Sequence, residues 1–132
     1  MAASVSTASV YKLSGSYSTQ PAQGAPSGKA SESALLNEVV YLSVKTTNEI
    51  LLSDATPVDV PFGGVDEAAV VFLKSVGGPV EVKLTTSLGV DQVIPIDGML
   101  QLISVSNPVQ SITLTRTSSV NTLVNVFLGE KA

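Results

Sequence analysis

Apolar and polar residues alternate most cleanly at residues 80–85. Val80, Val82 and Leu84 fall on one side of an extended chain, Glu81, Lys83 and Thr85 on the other. A period of two with one apolar side is the pattern of a strand lying between a core and solvent. Residues 68–73 are apolar at every position, which predicts a central strand buried on both faces.

The remaining apolar runs are short and separated by Gly, Pro, Asn and Asp. Residues 38–45 read as a strand with Val40, Leu42 and Val44 sharing one face, Thr47-Asn48 as a turn, and residues 49–53 as the next strand. Residues 58–62 form a short segment that Pro61 confines to an edge, because proline cannot donate to a ladder. Ser87-Leu88-Gly89 predicts a hairpin returning through residues 90–95, and Asp97-Gly98 a turn into residues 99–105. Residues 109–115, with Ile112 and Leu114 inward, and residues 120–128, stopped by Gly129, complete the set. About eight short strands at this spacing predict an all-β antiparallel sandwich, of the jelly-roll kind. Its expected interior is Val71, Leu73, Val82, Leu84, Ile112, Leu114, Val124 and Val126.

The first 34 residues are written differently: 25 of them are Ser, Ala, Thr, Gly, Pro or Gln. Such side chains bury too little apolar surface to offset the entropy of ordering a backbone. The expected organisation is therefore an extended N-terminal docking arm, residues 1–34, on a β-sandwich body, residues 35–132. One helical turn is conceivable at residues 31–36. The arm's one apolar cluster, Val10, Tyr11, Leu13 and Tyr17, precedes a Pro/Gly/Gln spacer at residues 20–28. A sticky segment followed by a flexible spacer is the layout of an anchor with reach, so these four residues are the candidate partner-binding group.

Composition removes most chemistry. The chain has no Cys and no His, so disulfides, thiolate metal sites and the usual nucleophile–base pairs are unavailable. Lys74 and Ser75 are adjacent and splay to opposite faces of a strand. The acidic residues sit at turns or on outward positions, where solvation explains them; Asp54, Asp59 and Asp66 lack the ligand spacing of a calcium loop. Gly63-Gly64 and Gly77-Gly78 precede no helix that would aim N–H groups at a phosphate. No enzyme class, cofactor or metal is expected. A net charge of −4 argues against nucleic acid, and no apolar run approaches the roughly 18 residues of a membrane span. The first fifteen residues lack the pattern of a secretory signal. The six aromatics, three Tyr and three Phe, are scattered and include no Trp. Only 14% of residues are charged and the mean hydropathy is +0.37, against about 25% charged in ordinary domains. So little charge on a small body predicts surface hidden in an oligomer or on a larger assembly.

Taken with the arm, residues 69–74, residues 79–85 and Val126-Phe127-Leu128-Gly129, this pattern resembles the capsid decoration, or cement, proteins of tailed bacteriophages. The resemblance implies a non-enzymatic virion protein, a homotrimer or dimer on the outer capsid surface, clamping neighbouring major capsid subunits with its arm. The alternative expectation is a tail or head-fibre component that binds a host-surface glycan or protein.

Overall fold

The structure, a computed structural model, describes residues 9–19 and 32–132, with side chains placed at residues 10–12 and from 39 onward. Among the described residues there are nine strands and no helix: β1 (Ser9–Thr19), β2 (Glu32–Leu52), β3 (Val58–Asp59), β4 (Val70–Val76), β5 (Val80–Thr86), β6 (Asp91–Ile96), β7 (Met99–Ile103), β8 (Val109–Arg116) and β9 (Thr122–Lys131). They form two antiparallel sheets, one ordered β1-β2-β9-β4-β7 and the other β3-β8-β5-β6. Apart from β1–β2 and β5–β6, every link between successive strands crosses from one sheet to the other.

The two sheets close over one apolar core. The period-two residues of β5, Val80, Val82 and Leu84, are buried while Glu81 and Lys83 are exposed. All eight residues expected in the interior lie in this core. The apolar run at 68–73 becomes the approach to β4 and its first four residues, flanked by β9 and β7, with Val70 and Val71 both fully buried although they face opposite ways. Pro61 and Pro57 bracket β3, which is two residues long and lies on an edge.

Four local expectations are corrected. Thr47-Asn48 is no turn: both residues sit inside β2, paired with Phe127 and Val126, so residues 38–45 and 49–53 belong to one strand. Residues 32–36 are strand rather than a helical turn, and Gly129 lies inside β9 rather than ending it. Val40, Leu42 and Val44 do not share a face. The pairing of β2 with β9 slips between Leu42 and Val44, and such a bulge turns every residue beyond it to the other side. Val44 therefore packs into the sandwich core, whereas Val40 and Leu42 join a second cluster with Val70 on the outside of the five-stranded sheet.

That bulge also bends the chain. Before it, β2 pairs with β1; beyond it, with β9. The division drawn after residue 34 thus falls inside a continuous strand, and residues 9–19 of the arm form the edge of the five-stranded sheet. Backbone pairing made by β1 and β2 needs little from Ser and Gly side chains, which is why composition does not register it. Tyr11 is opposite Val40, and Phe127 opposite Thr47, seven residues further along β2. In a flat sheet those positions lie about 23 Å apart, yet the two rings stack with centroids 5.7 Å apart. The β1–β2 ribbon folds back across the outer face.

Candidate functional site

The outer face of the five-stranded sheet is built from rows that run across its strands. One row joins Gly129 of β9, Val70 of β4 and Ile103 of β7; the next joins Thr47, Phe127, Phe72 and Gln101; a third joins Glu49, Asn125, Lys74 and Met99. The ribbon covers the first row. Leu42 sits directly on Gly129, where a Cβ would lie 2.7 Å from Leu42 Cδ1; only glycine admits this approach without displacing a buried side chain. Val40 and Leu42 roof Val70, with Tyr11, Ile103 and Phe127 closing the sides. Burying a side chain of this size stabilises by about 1.5–3 kcal/mol, so this small cluster is what holds the ribbon down.

Tyr11 fastens the second row. Its ring stacks on Phe127, and its hydroxyl oxygen accepts a hydrogen bond from Gln101 Nε2 at 3.1 Å. Burial pushes its phenol above the usual tyrosine range. Val10 lies on the opposite side of the ribbon, 43% exposed and paired with Tyr41, itself 62% exposed; Lys12 and Val39 are exposed beside them. Of the four expected partner-binding residues, the structure therefore turns Tyr11 inward and Val10 outward. Leu13 and Tyr17 stand opposite Glu38 and Ala34 in β1, and their side chains lie outside the described residues.

The four sheet edges also differ. β3 is two residues long, β7 five, and β6 carries Asp91 and Pro95. β1 spans eleven residues with no proline and a single charge, Lys12. Charge, proline and brevity are the devices that stop an edge from recruiting another strand, and β1 has almost none of them.

Beyond the ribbon, the outer face opens into a groove of about 450 Å³ lined by Thr47, Glu49, Phe72, Asn125 and Phe127, with Asn48 and Val126 beneath. Here the scattered aromatics of the sequence meet: Phe72 and Phe127 are a cross-strand pair in the floor, and Tyr11 stacks on Phe127. No spacing in the sequence signals this convergence, because residues 11, 72 and 127 are joined only by the fold. A second cavity of about 360 Å³ lies near Glu67, Val105 and Glu130. There Glu130 Oε1 accepts hydrogen bonds from the backbone N–H groups of Asp66 (2.7 Å) and Glu67 (3.3 Å), so the carboxylate is occupied in fixing a loop.

The other candidates stay apart. Lys74 points to the outer face and Ser75 inward, where Ser75 Oγ accepts from Gly98 N at 2.9 Å. Asp54 accepts from the N–H of Thr56 at 2.9 Å, and that hydrogen bond lowers its pKa. Asp59 accepts from the Thr113 hydroxyl. Among the described residues no three carboxylates gather as a metal site would require. No family model, curated protein or solved structure matches the chain.

Proposed function

We propose that this is a non-enzymatic structural protein of a virion, which decorates and stabilises a phage capsid by clamping neighbouring major capsid subunits, and which acts as a homotrimer on the outer capsid surface. The observation that carries this reading is the outward side of the ribbon. Val10, Val39 and Tyr41 are exposed together there, beside a long edge strand that carries Lys12 as its one charge and that no further described strand pairs. An exposed apolar cluster next to free main-chain donors and acceptors suits docking onto another protein. The strand orders β2-β9-β4-β7 and β3-β8-β5-β6, linked by crossings between sheets, support assigning the body to the jelly rolls.

The test is binding to capsids stripped of this protein, with electron microscopy locating it on shell or tail. Tyr41→Asp and Val10→Asp place charge on the outward side of the ribbon and should abolish decoration while leaving the melting temperature unchanged. Decoration at unchanged affinity by both variants removes the ribbon from the interface. A purified protein that sediments only at 13.5 kDa removes the trimer.

A further inference from the structure

The groove beyond the ribbon has a chemistry that docking onto a capsid does not use. Its floor is the pair Phe72 and Phe127, and its rim is a hydroxyl (Thr47), a carboxylate (Glu49) and an amide (Asn125). No hydrogen bond among the described residues engages those three rim side chains. We propose that the groove is a binding subsite for a neutral saccharide, with one pyranose ring laid against Phe72 and Phe127 and its hydroxyls held by Thr47, Glu49 and Asn125.

The fit is chemical. A pyranose presents an apolar C–H face and a rim of hydroxyls, each both donor and acceptor. The aromatic floor meets the first; the rim meets the second with an acceptor-only carboxylate, a donor–acceptor amide and a hydroxyl. A volume of about 450 Å³ lies within the range of roughly 300–1,000 Å³ for small-molecule sites. Phe127 is held in place by the Tyr11 ring stacked on it, so part of the floor is fixed before any ligand arrives, which lowers the cost of binding.

Other ligand classes fit less well. Glu49 is the only ionised group in the lining, and Lys74 stands beyond the rim, next to Asn125, so an acidic sugar laid on the floor meets the carboxylate before the cation. A wholly apolar ligand would strip water from Glu49 and Asn125 without replacing it. A peptide finds no main chain to pair with along the floor, because β4 and β9 each have a partner strand on both sides.

The experiment is a titration of the ¹⁵N-labelled full chain with cellotriose, maltotriose, chitotriose and lactose, with sialyllactose as the anionic counterpart. At least one neutral sugar should shift the amides of Glu49, Asn125 and Phe127 saturably, and sialyllactose should bind more weakly than lactose. Asn125→Ala should weaken the best sugar about tenfold, equivalent to 1.4 kcal/mol, without changing the melting temperature. Phe72→Leu should weaken it similarly while keeping the sheet's apolar packing. Silence at these amides across the four neutral sugars overturns the proposal, as does binding that Asn125→Ala leaves intact. Tighter binding of sialyllactose overturns the neutral class.

Discussion

The two outer faces of the sandwich are both made by antiparallel strands and are chemically unlike. On the four-stranded sheet, β5 presents Glu81, Lys83 and Thr85, and β8 lays Ser111, Thr113 and Thr115 alongside. Its hydroxyls are tied to carboxylates, Thr85 Oγ1 donating to Asp91 at 2.8 Å and Thr113 Oγ1 to Asp59 at 2.9 Å. On the five-stranded sheet the corresponding positions are Val70, Phe72 and Phe127, and Val70 has no exposure at all. The first face is finished by water. The second needs another layer, and the chain supplies part of it by folding the β1–β2 ribbon over one end.

The largest expected effect tests whether that layer is real. Val82→Asp places a carboxylate in the sandwich core and should cost about 3–5 kcal/mol. Val70→Asp, on the outer face, should cost as much. Urea unfolding of the two variants gives the comparison directly; a Val70→Asp protein close to the parent in stability means that the ribbon does not cover this row. Gly129→Ala comes next, at about 1–3 kcal/mol for overpacking against Leu42. Pairing it with Leu42→Ala should cost less than the two changes summed, because both act on one contact.

Tyr11→Ala should cost about 1–2 kcal/mol, from lost burial and from a ring stack worth about 0.5–1.5 kcal/mol. The same residue gives the face a pH signature. Burial raises its folded pKa above the unfolded value, so its contribution is complete below about pH 10 and is lost as the pH rises through the folded value. Thermal melts across alkaline pH should show that loss, and Tyr11→Phe should remove the part due to tyrosinate. The smallest effects belong to the polar face. Glu81→Ala and Lys83→Ala should each change stability by no more than about 0.5 kcal/mol, and a larger change in melting marks that face as an interface.

The same contrast explains what was legible in the sequence. Val80, Val82 and Leu84 announce their strand because one side meets oil and the other water, and residues 68–73 announce burial on both sides. The covering layer was not legible. Its pivot is a bulge beside Ser43, one extra residue with no compositional mark, and it reverses the faces of Val40–Leu42 and Val44. β1 is held by backbone pairing that Ser and Gly permit but do not advertise. For the candidate site, Val10 and Tyr11 were recognisable as apolar residues in a polar segment. The groove was not, since Phe72, Phe127, Glu49 and Asn125 become neighbours only through strand order.

The position of β9 has a consequence for how the molecule is made. It lies between β2 and β4 in the sheet, yet it follows all eight other strands in the chain. As the polypeptide leaves the ribosome, β2 and β4 therefore wait with the edges that receive β9 unfilled, and the five-stranded sheet cannot be completed until residues 122–131 emerge. Until then the chain can pair only among the earlier strands, the β5–β6 hairpin being the most local of these pairs, ahead of β1–β2. Assembly dominated by such distant pairings runs on the order of milliseconds to seconds, and during that interval the waiting strands are the ones most open to chaperones or to another nascent chain.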